Sequence, residues 1–189
     1  MKNNRYSKYA FLLAFAIWLL PFILRLYIVE IPLIDTNRLA HKELHTPMSE
    51  VLQLLSDGNN KGAFILIFTN NIKGCILNII GGVMLGLGTI INLSYNGFVS
   101  ADIFMTSYNS GMSIDSILKV TLPHSFELIG FWLSGAIGFF IAWHLIQFMR
   151  GKDSITAVFC KKVGVGSLIV VLIILAAAYV EAYISIQTV

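Results

Sequence analysis

Val163–Ile184 reads VGVGSLIVVLIILAAAYVEAYI, a run interrupted by one charge, Glu181. At 1.5 Å of rise per residue, a helix of this length crosses the roughly 30 Å hydrocarbon core of a bilayer. The rest of the chain is of the same kind. Of its 189 residues, 57% are hydrophobic and 12% charged, and the mean hydropathy is +0.78. That is too apolar for a domain that must cover itself with polar surface. The sequence predicts an all-α fold, a polytopic transmembrane helix bundle forming one membrane domain over residues 1–189.

Upstream of this run, Arg150, Lys152, Lys161 and Lys162 mark a basic loop, 150–162, and Lys2, Arg5 and Lys8 mark a second basic group at the N-terminus. Basic loops stay in the cytoplasm, so an even number of crossings separates the two groups. Segments 9–29, 63–93 and 125–149 are plainly apolar. The fourth crossing falls to 97–120, which is only weakly apolar and holds Asp102, Asn109, Asp115 and Lys119. A span of that kind needs shielding by its neighbours or a cavity to line. With 163–184 as the last span, the count is about five, with the N-terminus cytoplasmic and the C-terminus extracytoplasmic. Loop 30–62 is then extracytoplasmic, with a short interfacial helix over Met48–Leu55. The first span reads as an uncleaved anchor, because no A-x-A site follows it. Arg25, near its far end, is expected to snorkel to the headgroups.

Polar residues inside spans carry the functional reading. Asn70, Gly74, Asn78, Gly82 and Gly86 recur at every fourth position of the 63–93 segment. They form one small and polar stripe suited to close helix packing. Pro123 opens the 125–149 helix, and His124 and Glu127 share one of its faces. Glu181 is a carboxylate in lipid and needs a partner. By parity, Asn70, Asn71, His124, Glu127 and Glu181 all fall towards the outer ends of their spans and form a candidate polar cluster. Its reading is a structural network, with no catalytic residue assigned. His124, Glu127 and Glu181 also make a nitrogen-oxygen set compatible with a divalent metal. No cofactor is otherwise expected.

Other features carry less. His41-Lys42-Glu43-Leu44-His45 matches neither zincin pattern, because its Glu lies off the face that the histidines share. His144, beside Trp143 and near Gln147, reads as a packing or interface residue. Cys75 and Cys160 have neither disulfide-framework nor zinc spacing. The net charge of +3 lies in short juxtamembrane groups, which excludes a nucleic-acid surface.

Several stretches together resemble the stage II sporulation protein M family. They are Phe68-Thr69-Asn70-Asn71, the glycine-rich run ending in Asn96-Gly97, Leu122-Pro123-His124 with Glu127, Gly135 to Gly138, and Glu181-Ala182-Tyr183-Ile184. The likeness covers Ala63 to the C-terminus and departs at Ser125, where a glycine commonly follows the histidine. It implies about five membrane helices and carries over Asn70, Asn71, Asn96, His124, Glu127 and Glu181, with Gly97 and Pro123 in the shared motifs. It also implies a non-enzymatic component that recruits or organises cell-envelope machinery in a bacterial or archaeal cytoplasmic membrane. The expected partners are the lipid bilayer and other membrane or envelope proteins, and a homo-oligomer is compatible with the small-residue stripe. The alternatives are a transporter or permeation subunit and a metal-dependent membrane enzyme using the His/Glu cluster.

Overall fold

The structure, a computed structural model, describes residues 3–28, 47–109, 111–115 and 125–184. Helices α1 (Asn3–Tyr27), α2 (Pro47–Ser56), α3 (Asn60–Gly81), α4 (Leu87–Asn109), α5 (Ser125–Met149) and α6 (Ala157–Tyr183) follow one another, and no strand occurs among the described residues. Helices α1, α3, α5 and α6 are long and apolar enough to cross a membrane. Helix α4 has comparable length but carries Asn92, Asn96 and Asp102.

Two spans differ from the sequence expectation. The single span expected over 63–93 is two helices, because the chain turns back between Gly81 and Leu87. Leu85 (φ 54°) and Gly86 (φ 87°) both take the left-handed conformation that stops a right-handed helix. The turn is closed by Gly86 N–H donating to the Gly81 carbonyl at 3.2 Å. Only Gly combines freely with that backbone, so the Gly86 position follows from its φ and not from a helical stripe. The span expected over 97–120 accordingly begins earlier, at Leu87, and its helix ends at Asn109. It gains the apolar residues Leu87 to Leu93, which explains how so polar a segment can lie in the bundle. Helix α6 begins at Ala157, with the Thr156 hydroxyl accepting from Phe159 N–H, so Lys161 and Lys162 belong to the helix and not to a loop reaching 162.

Cross-helix contacts set the directions. Trp18 meets Gly97 and Arg25 meets Asp102, so α1 and α4 run parallel. Gly74 meets Phe131 and Asn78 meets Ser134, so α3 and α5 run parallel. Ile137 meets Gly166 and Gly130 meets Ile174, which makes α5 and α6 antiparallel. Ala14 meets Gly135, where Trp18 also meets Trp132 edge-on at 5.4 Å, and α1 opposes α5. The five long helices therefore alternate in direction. The start of α1, the 82–86 turn and the 150–156 loop share one end of the bundle. Helix α2 closes the other end, where Val51 joins Ala63, Ile67, Ala178 and Ala182 in an apolar cluster.

The side chains are distributed as in a membrane bundle. Leu12, Ile76, Ile91, Leu168 and Leu172 face outward, whereas Asn78, Thr89 and Ser134 are fully buried. Lipid offers no hydrophobic gain for helix association, so close packing and interhelical hydrogen bonds carry it. Gly97 is the clearest case, because a Cβ there would collide with the Trp18 backbone carbonyl, which no side-chain rotation can move aside. Gly97→Val is expected to cost about 2 kcal/mol by forcing α1 and α4 apart. Thermal denaturation in a fixed detergent checks this against Gly164→Ala, where no atom lies within 4 Å of the added carbon.

Candidate functional site

The buried polar residues fall into three groups. The first joins α3, α4 and α5 around Asn78, which has no exposed surface. Its amide nitrogen donates to Ser134 Oγ at 2.9 Å and to the Phe131 carbonyl at 3.3 Å. Its Oδ1 accepts from Asn92 Nδ2 at 2.8 Å, and its backbone carbonyl accepts from Thr89 Oγ1 at 2.7 Å. Asn92 Nδ2 also donates to the Gly74 carbonyl at 3.0 Å. Further along α4, Asn96 Nδ2 donates to the Asn92 carbonyl at 2.8 Å and Ser100 Oγ to the Asn96 carbonyl at 2.8 Å. One asparagine thus bonds to both neighbouring helices, and its donors and acceptors meet protein groups, as burial requires.

Small residues make that approach possible. A Cβ at Gly74 would lie 2.6 Å from the Phe131 ring. One at Gly82 would strike the Gly138 backbone, and one at Gly138 would strike the Asn78 carbonyl. Gly86, at the turn, faces Ala142 and Phe139 at ordinary contact distance. Of the stripe read from sequence, Asn70, Gly74 and Asn78 lie on α3, and Gly82 and Gly86 lie beyond its end.

The second group is an ion pair between α1 and α4. Arg25 Nη2 and Nε both donate to Asp102 Oδ1, at 2.6 and 3.0 Å, and Nη1 donates to the Ile28 carbonyl at 2.9 Å. The guanidinium lies 5.4 Å from the centre of the Phe98 ring, a cation–π contact. Arg25 is 7% exposed. It does not snorkel as expected, because a carboxylate on the parallel helix lies within reach.

The third group holds the residues singled out from sequence. Glu127, in the first turn of α5, is 7% exposed, and Glu181, in the last turn of α6, is 9% exposed. Each engages a partner within the fold. Extending the register of α3 on α5 by one turn puts half-buried Asn70 and Asn71 at the level of Glu127. The register of α5 on α6 puts Glu181 about one further turn, ~5 Å, towards the same end. His124 and Pro123 lie outside the described residues, as do His41 and His45. Among the described residues, no three His, Cys, Asp or Glu side chains stand together as a metal set.

Neither Asn92, Thr89 and Ser134 nor the Arg25–Asp102 pair was marked as functional from sequence. A signal for Asn92 exists. Asn78 and Asn92 are equidistant from Leu85, so a hairpin centred there brings them face to face. Asn96 and Gly97, taken from the family motif, lie on α4, Gly97 against α1 and Asn96 one turn from Asn92.

The model of the family described as Stage II sporulation protein M matches residues 9–186. The chain is also 31% identical over 125 residues to Uncharacterized protein MJ0793 of Methanocaldococcus jannaschii, covering 65% of this chain and 70% of that one. No solved structure matches the chain.

Proposed function

The chain belongs to the stage II sporulation protein M family, and from that premise we propose that it is a non-enzymatic membrane component that organises cell-envelope machinery. That it is a multi-pass membrane protein follows from its apolar helices and its family. Its place in this reading is the cytoplasmic membrane of a bacterium or archaeon. The basic start of α1 and the 150–162 region face the cytoplasm, and the end closed by α2 faces outward.

The observation that supports this reading is how the buried polar groups are bonded. Asn78, Asn92, Thr89 and Ser134 hydrogen-bond to one another and to backbone carbonyls across three helices, and Arg25 and Asp102 hold each other. Groups so engaged hold a rigid bundle in one arrangement, as a platform for other proteins requires. The polar ladder along α4 is the feature a permeation subunit would share; its Asn92 bonds to Asn78, and Asn96 and Ser100 bond to carbonyls one turn back on α4. A divalent metal held by His124, Glu127 and Glu181 is the third reading, which the metal content of the purified protein tests directly.

The platform reading predicts partners. Pull-down of the full chain from membranes in mild detergent, after cross-linking, is expected to return the same envelope proteins repeatedly. Recovery of this chain alone, in repeated preparations, would sink the proposal.

A further inference from the structure

At the end of the bundle that holds the basic residues, the α5–α6 hairpin leaves a cleft of about 390 Å³ between the last turns of α5 and the first turns of α6. Phe140, Trp143 and Phe159 form apolar walls, and Lys162 and Asp153 place one cation and one carboxylate on the rim. His144 packs against both Phe140 and Phe159, at centroid distances of 4.5 and 4.7 Å, and those two rings lie 5.6 Å from each other. Its Nε2 lies 3.4 Å from Asp153 Oδ2 and so holds that carboxylate at the cleft. None of these groups belongs to the three polar groups described above.

We propose that this cleft binds a zwitterionic phospho-amine headgroup, that of an ethanolamine phospholipid. The charges select it. A phosphate diester pairs with Lys162, and a primary ammonium pairs with Asp153 and gains cation–π attraction from the aromatic walls. An anionic lipid without an amine would bring its phosphate beside the Asp153 carboxylate, which repels it, and offer that carboxylate no ammonium. A simple cation would in turn meet Lys162. The volume is in the range of sites that enclose a small ligand.

Depth selects a lipid over a soluble phospho-amine. Trp143 (44% exposed) and Val158 (63% exposed) stand beside exposed Asp153 and Lys162, so apolar and charged surfaces meet at the cleft. Tryptophan at such a boundary marks the headgroup layer. The exposed Arg150, Lys152 and Lys161 nearby keep phosphates at this level.

The test is native mass spectrometry of the full chain in detergent with equimolar phosphatidylethanolamine and phosphatidylglycerol. The wild type is expected to retain the ethanolamine lipid about 10-fold better. Asp153→Asn is expected to remove that preference while still binding lipid, and Lys162→Gln to weaken both lipids. Both side chains are exposed, so the variants are expected to keep the wild-type melting temperature. Equal retention of the two lipids by the wild type, or an unchanged preference in Asp153→Asn, would overturn the proposal. Two further arms add millimolar glycerophosphoethanolamine or inorganic phosphate. Displacement of the lipid by either would assign the cleft to a soluble ligand and overturn the lipid assignment, and resistance to both supports it.

Discussion

Arg25→Met is expected to destabilise the bundle by about 3 kcal/mol, the largest effect of any single substitution considered. Removing one partner of a buried ion pair leaves the other charge without compensation in a medium that solvates it poorly. Here the survivor is Asp102, whose side chain is 24% exposed, on a helix packed between α1, α3 and α5 and on a shorter stem than that of Arg25. The reverse change, Asp102→Asn, is expected to cost less, because the long Arg25 side chain lies near the end of α1 and can then reach the headgroups. Its bond to the Ile28 carbonyl at the end of α1 survives that change. The double variant Arg25→Met, Asp102→Leu removes both charges and is expected to recover most of the loss, as apolar replacements of buried pairs do. A double-mutant cycle by thermal denaturation in detergent measures the coupling. Strictly additive single effects would mean that the two residues contribute through packing alone.

The second large effect is expected at Asn78. Asn78→Leu conserves shape but removes every bond that the Asn78 side chain makes to α4 and α5, leaving those that Thr89 and Asn92 donate to the Asn78 and Gly74 carbonyls. Interhelical hydrogen bonds in membranes contribute modestly one at a time, about 0.6 kcal/mol on average. Three such bonds meet on this side chain, however, and half-buried Asn92 and fully buried Ser134 each lose a partner. Leaving buried polar groups with fewer bonds adds a desolvation cost. A loss of about 2 kcal/mol is expected. Asn92→Leu added to Asn78→Leu should cost less than the sum of the two, because each removes the same bond. A stability unchanged by Asn78→Leu would show that glycine packing holds these helices together without the network. Flux through liposomes that fell in step with Asn78→Leu while stability held would favour the permeation reading instead.

The local character of the chain was legible in its sequence because hydropathy and charge act locally. Whether a residue prefers lipid depends on its own side chain, so the apolar runs around Leu19, Ile67, Ile137 and Leu172 each announce a membrane helix unaided. The basic groups at the start of α1 and around Lys161 are likewise read from their own side chains. The family was also legible, because its motifs are short and lie in order along the chain. What hydropathy does not register is direction. The turn at 82–86 is as apolar as the helices it joins, and Gly-Gly-Val-Met-Leu-Gly reads as a continuation of the span until the backbone at Leu85 and Gly86 is seen to reverse. The expected boundaries of two spans shifted on that account, and the polar α4 took back the apolar residues that let it enter the bundle.

The site divides in the same way. Composition alone marks Glu127 and Glu181 as costly in lipid, and sequence spacing puts Asn78 on a packing face. Which groups meet them is decided by tertiary structure. Asn78 finds Ser134 across 56 positions of chain and Arg25 finds Asp102 across 77. Such pairings follow from which helices are neighbours and whether they run parallel, and no local preference encodes that. A residue's cost in the membrane is its own property, so the sequence determined which side chains need partners. A partner is a property of two helices at a fixed register, so only the packed bundle decided which ones they have.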